Sequence, residues 1–116
     1  MELKQYRNQN MLLMATHYGY LWIVKWLIEE VGIDVNIQSP QNGESPLHNA
    51  CQLNRIDIVR YLVEERGAKL DLRENQKHWI MTPIFRACVK DRLEVIEILL
   101  QNGARIDFGK KLEPFT

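Results

Sequence analysis

Apolar residues recur along this chain in three matching sets. Leu21, Val24, Leu27 and Ile28 form the first, Ile56, Val59, Leu62 and Val63 the second, and Leu93, Ile96, Leu99 and Leu100 the third. The spacing i, i+3, i+6, i+7 puts each set on one side of a helix, so each predicts a buried helical stripe. A glycine follows each stripe, at 32, 67 and 103, where left-handed backbone closes the helix. Upstream of each stripe lies a shorter apolar run around Ala15, Ala50 and Ala87. Ser45 and Thr82 head two of these runs, each followed by proline, which predicts an N-cap and a first helical residue. Asn10, followed by Met11 rather than proline, holds the equivalent cap in the first run. The alanines predict positions where a close neighbour leaves room only for a small side chain.

Each unit therefore reads as short helix, turn, second helix, glycine and extended loop. The glycines are spaced by 35 and 36 residues and the alanines by 35 and 37, a period that marks a repeat architecture. The units span about residues 10–42, 43–77 and 78–108, followed by a tail, 109–116, all within one domain. Alternating tails such as Ile33-Asp-Val-Asn-Ile37 and Ala68-Lys-Leu-Asp-Leu72 lead from one unit into the next.

The second unit opens Ser45-Pro46-Leu47-His48-Asn49-Ala50-Cys51 and ends Gly67-Ala68. This resembles the ankyrin repeat, whose opening motif is Thr-Pro-Leu-His-x-Ala. Thr82-Pro83-Ile84-Phe85-Arg86-Ala87 is a looser copy with phenylalanine at the histidine position, and the first unit lacks both proline and histidine, as a capping repeat often does. The resemblance covers about residues 10–108. It implies an all-α solenoid of stacked helix-turn-helix units joined by β-hairpin-like loops. It also implies that the His48 ring bonds neighbouring backbone and the cap hydroxyl rather than a metal. The loop Arg73–Met81 is longer than usual for the family, and the closing Leu112-Glu-Pro-Phe-Thr116 resembles the start of a fourth unit that arrives early. Either the array continues, or the tail covers the last helix pair.

Composition narrows the function classes. Fifteen basic and fifteen acidic residues cancel, so charge suggests neither a nucleic-acid partner nor a membrane surface. The longest apolar stretches fall far short of the ~20 residues that cross a bilayer, and the polar N-terminus lacks the apolar core of a signal peptide. A cytoplasmic or other intracellular setting is expected, with the nucleus and a host cytosol both open. Cys51 and Cys88 hold the same place in successive units. Adjacent helices lie ~8–10 Å apart, too far for a disulfide, so both are expected to be buried thiols. His17 and His78 have no partners at metal-ligand spacing, and no phosphate loop, Gly-x-Ser-x-Gly or His-Glu-x-x-His occurs. Glu29-Glu30 and Glu64-Glu65 recur at one register as a solvated face. No cofactor, no metal and no catalysis are expected.

What remains is binding of another protein by a monomeric scaffold. Ankyrin partners meet the loop tips and the exposed face of the first helices. By register the tips are Gln41, Asn42, Glu44, His78, Trp79 and Met81. The first-helix set is Met14, His17, Tyr18, Asn49, Gln52, Leu53, Arg86, Val89 and Lys90. Tyr18, Leu53 and Val89 fall at or beside one register and suit a contact face, or Leu53 and Val89 are partly buried between helices. Trp79 either faces a partner or folds back over its own loop. Trp22, matched by Asp57 and Glu94, either stands exposed or packs beneath Leu3–Tyr6, whereas Trp26, matched by Tyr61 and Ile98, reads as core. The alternative function is a regulatory or targeting segment of a larger protein, such as a signalling protein or a host-directed bacterial effector.

Overall fold

The computed structural model describes residues 3–74 and 81–106, with side chains from Arg7 onward. Three helix pairs stack in order. They are α1 (Leu3–Tyr18) with α2 (Leu21–Trp26), α3 (Pro46–Gln52) with α4 (Ile56–Arg60), and α5 (Pro83–Val89) with α6 (Leu93–Gln101). Helices α1, α3 and α5 pack side by side, and α2, α4 and α6 form the second layer. No strand occurs among the described residues. The loops keep hairpin-like bonds all the same: Ser39 N–H donates to Glu44 O at 2.8 Å, and Glu74 N–H to Met81 O at 2.9 Å.

The caps form where the sequence places them, with one exception. Ser45 and Thr82 are extended, and their hydroxyls accept from the His48 and Phe85 N–H groups ahead of Pro46 and Pro83. Asn10 is no cap; it lies inside α1. Residues 3–10 contain neither proline nor glycine, so nothing stops the helix from running back to Leu3. The first unit thus opens on 16 helical residues where the others open on 7.

Helices α2 and α4 continue as π-helical turns, Leu27–Val31 and Tyr61–Glu65, whereas α6 stays α-helical to its end. The cause is one residue of length. From the first apolar position to the closing glycine, Leu21–Gly32 and Ile56–Gly67 are each one residue longer than Leu93–Gly103. A wider turn absorbs the extra residue without breaking the helix. Gly32 then closes the first π turn in left-handed backbone, at φ 85°.

The core lies between the two helix layers and runs unbroken through the stack. Leu12, Val24, Leu27, Ile58, Val59, Leu62, Ile84, Val95 and Leu99 are fully buried, and Ala15, Ala50 and Ala87 are buried among them. The end positions depart from the expected stripe. Leu93 is 70% exposed, and Leu100 is 44% exposed where its counterparts Ile28 and Val63 are each 6%. Each stripe is covered by the unit that follows it, and for the third unit none follows among the described residues. The same absence explains Cys88, which is exposed, not buried like Cys51. At the other end Trp26 is half-exposed rather than core, while its counterparts Tyr61 and Ile98 are buried, Tyr61 against Glu29 and Lys25 of the unit before.

Candidate protein-binding surface

The turns between paired helices reverse within three residues, which requires left-handed backbone at one register: Gly19, Asn54 at φ 61° and Asp91 at φ 59°. Glycine, asparagine and aspartate are the residues that tolerate it. Next in each turn stand Tyr20, Arg55 and Arg92. Arg55 donates from Nε and Nη2 to the His17 carbonyl at 3.2 and 2.7 Å, and Arg92 from Nε to the Gln52 carbonyl at 3.0 Å. Each arginine thereby ties its unit to the preceding one. A Cβ on Gly19 would stand 3.1 Å from the Arg55 guanidinium, which would have to shift slightly, and the φ of 81° is itself one that glycine adopts without strain.

Tyr20 holds this register in the first described unit, and its ring stacks on Tyr18 with centroids 6.3 Å apart. His17 meets Tyr18 edge-on at 4.9 Å, so three rings hold one another in place. Met14, His17, Tyr18 and Tyr20 are exposed together at this end of the face, as are Val89 and Lys90 at the other, and Gln52 and Leu53 between them are half-buried. Sequence reasoning missed Tyr20. Its register with Arg55 and Arg92 was the available signal, since an aromatic there replaces a structural tie.

The loop side is built differently. Buried Glu74 takes a bidentate bond from Arg86, at 2.7 Å from Nε and 2.6 Å from Nη2. Glu44 lies 3.8 Å from the same guanidinium. His48 is fully buried. Its Nδ1 accepts from the Ser45 backbone N–H at 3.1 Å and the Ser45 hydroxyl at 2.8 Å. That leaves the proton on Nε2, which donates to the Met81 carbonyl at 2.8 Å. The ring therefore joins the second unit to the third, in the structural role the motif implies. Burial lowers the His48 pKa from its ordinary range, against the raising pull of the Met81 bond and of Glu74. Burial raises that of Glu44, opposed by Arg86.

These contacts revise the expected contact set. Asn49 is buried and its side chain bonds Glu44, so it positions the loop rather than faces a partner. Arg86 is mostly committed to Glu74, and Met81 is half-buried. Of the first loop, Gln41 is exposed while Asn42 is half-buried, its Oδ1 accepting from Glu44 N–H. His78 and Trp79 lie outside the described residues. Trp22 is 72% exposed, so it stands out from the outer helix and does not pack away beneath Leu3–Tyr6 as the capping reading expects. Among the described residues no group of His, Cys, Asp and Glu could hold a metal ion, and no helix is long and apolar enough to cross a membrane.

Comparison with known proteins agrees with this architecture. A family model described as ankyrin repeats, in three copies, matches residues 11–110. Over 104 residues, 90% of this chain, the sequence is 31% identical to the glycerophosphocholine phosphodiesterase GDE1 of Eremothecium gossypii, of which the match is 8%. It is 27% identical over 104 residues to the NF-kappa-B inhibitor cactus of Drosophila melanogaster, covering 90% of this chain and 20% of that protein. Ankyrin repeat and SOCS box protein 11 of Mus musculus is 38% identical over 76 residues, 64% of this chain and 22% of its own length. The chain thus spans less than a quarter of each of these relatives.

Proposed function

The chain belongs to the ankyrin-repeat family, and from that premise we propose that it is a protein-binding module that docks a partner on the exposed face of its first helices. The observation that carries this reading is the row from Met14, His17, Tyr18 and Tyr20 across Leu53 to Val89 and Lys90. It holds apolar and aromatic side chains exposed on backbone that the stack already fixes. Aromatic anchors on a rigid scaffold lose little entropy on binding, which is what a hot spot requires. On this reading the array performs no chemistry itself, and the loop network around Glu74 serves to set the edge of the face.

Affinity capture with the whole chain, followed by calorimetry on the partner recovered, tests the assignment. Tyr18→Ala weakens the partner by roughly 30-fold, about 2 kcal/mol, while circular dichroism and melting temperature barely move. Affinity unchanged in both Tyr18→Ala and Val89→Asp would remove this face from consideration. A second reading is favoured by the length comparison. The segment matches 8%, 20% and 22% of three larger proteins, so it also suits a regulatory or targeting part of a longer chain, with the docking face unchanged.

A further inference from the structure

Both ends of the described stack are apolar, whereas a repeat array that stays dispersed in water carries polar outer faces at its ends. At the first unit Met11 and Trp26 are exposed and Ile23 is half-buried. The same registers in the later units, Pro46 and Pro83, Tyr61 and Ile98, Ile58 and Val95, are all buried. At the third unit Cys88 and Leu100 are exposed and Ile96 is half-buried. Their counterparts in the second unit, Cys51, Val63 and Val59, are buried. Each end therefore shows one half of the junction that the units make inside the stack.

The polar groups at the two ends also match, with their polarity reversed together. The counterparts of Glu97 are Lys25 and Arg60, and both cations reach forward onto the next unit. Lys25 Nζ lies 5.4 Å from the centre of the Tyr61 ring, and Arg60 Nη2 lies 3.8 Å from Glu94. The two receiving registers, those of Tyr61 and Glu94, hold Trp26 and Trp22 in the first unit. An indole N–H donates and has no acceptor, whereas a carboxylate only accepts. Where the internal junctions set a cation against a ring or a carboxylate, the ends thus offer a carboxylate and two N–H donors. Leu93, 70% exposed, and Leu100 stand at i−4 and i+3 from Glu97, which gives indole rings apolar surface to lie on.

We propose that a second copy of the chain stacks end to end on the first, its first unit lying on the third unit as the second unit lies on the first. Trp22 and Trp26 of the added copy cover Leu93 and Leu100 and donate to Glu97. The contact joins two different surfaces, so every added copy leaves the same two ends open. Assembly then grows with concentration and does not close at a dimer, in place of the monomer expected from the sequence. The contact uses none of the first-helix row, so it stands or falls independently of the partner-binding reading.

Sedimentation velocity on the whole chain over a concentration series tests this. The weight-average mass rises with concentration and passes that of a dimer. Trp22→Glu spoils the first-unit end by facing Glu97 with a like charge, and Leu93→Glu spoils the third-unit end. Both positions are at least 70% exposed, and Asp57 and Glu94 already stand at the Trp22 register, so circular dichroism remains that of the parent. Each variant alone associates at least roughly tenfold more weakly. Mixed in equal amounts, the two pair through the one intact end of each and stop at a dimer. Trp22→Glu/Glu97→Arg recreates the pairing of Arg60 with Glu94 and recovers most of the lost association. A parent chain that stays monomeric up to roughly 1 mM, a mixture without dimers, or a double variant no better than Trp22→Glu overturns the proposal. So does undiminished association of either variant alone, which would assign the contact to two like ends.

Discussion

The two junctions in this stack are made of different materials. Between the first and second units the polar ties are scattered and lie mostly near solvent. Arg55 holds the His17 carbonyl, Asn36 accepts from Lys69 N–H, Gln38 donates to the Arg73 carbonyl, and the Tyr61 hydroxyl donates to Glu29 at 2.6 Å. Between the second and third units Arg92 repeats the arginine tie. There, however, a connected cluster, buried His48 and Glu74 with half-buried Arg86 and Glu44, joins the loops as well. Dispersed ties fail one at a time at small cost. A cluster built around a buried charge fails as a unit, because removing one member leaves another poorly solvated and unpaired.

The most severe way to break the second junction is Glu74→Gln. Among the described carboxylates it leaves the Arg86 guanidinium with Glu44, at 3.8 Å and partly exposed. Stability in urea falls by about 3 kcal/mol, the low end for breaking a buried pair. The third unit should detach first, so the transition broadens or splits. A loss below about 1 kcal/mol would show that the pair behaves as a surface salt bridge and that the two junctions do not differ in kind.

Acid sharpens the contrast through His48. Because its folded pKa lies below the ordinary 6.5, folding favours the neutral ring. The stability it contributes is complete above 6.5 and is lost as pH falls toward the depressed value. Glu44 acts with the opposite sign. Its raised pKa makes the ionised form a cost at neutral pH that acid relieves. The melting temperature should therefore fall as pH drops from 7 to about 5.5, with His48 dominant. His48→Gln costs about 2 kcal/mol at pH 7 through the weakened bonds at Met81 and Ser45 and removes that fall. A fall of unchanged size in His48→Gln would assign the acid response to other groups.

Much of this arrangement was legible in the sequence, and its failures have physical reasons. Ser45, Thr82, Pro46, Pro83 and the closing glycines act locally, and each determined its own helix end. The stripes gave the two layers correctly wherever a following unit covers them. Cys88, Leu93 and Leu100 were misjudged because burial depends on a neighbour that a repeat pattern assumes for every unit. Trp26 was misjudged for the same reason at the opposite end. The π turns were already encoded in the mismatch between glycine and alanine spacings, 35 and 36 against 35 and 37. Glu74 left no such trace. A single carboxylate in a long loop becomes a buried ligand for Arg86 only through loop geometry, which local pattern does not specify.

The smallest effect belongs to the first junction. Tyr61 is buried apart from a hydroxyl that reaches Glu29, and Lys25 lies over its ring. Burial and then the Glu29 bond push the Tyr61 pKa well above its usual range, so the hydroxyl remains a donor across the pH range in which the protein would be studied. Tyr61→Phe keeps the ring, its packing and the contact with Lys25, and removes one bond to an exposed carboxylate that water can solvate instead. Such a change should cost about 1 kcal/mol or less, with a single unfolding transition and the same acid response as the parent chain. That outcome in urea melts at pH 7 and 5.5, beside the large and pH-linked losses at the second junction, would establish that the stack is held by dispersed ties at one junction and by a cooperative cluster at the other. A loss from Tyr61→Phe as large as that from Glu74→Gln would mean instead that both junctions depend on buried polar partners, and that solvent near Glu29 does not replace the missing hydroxyl.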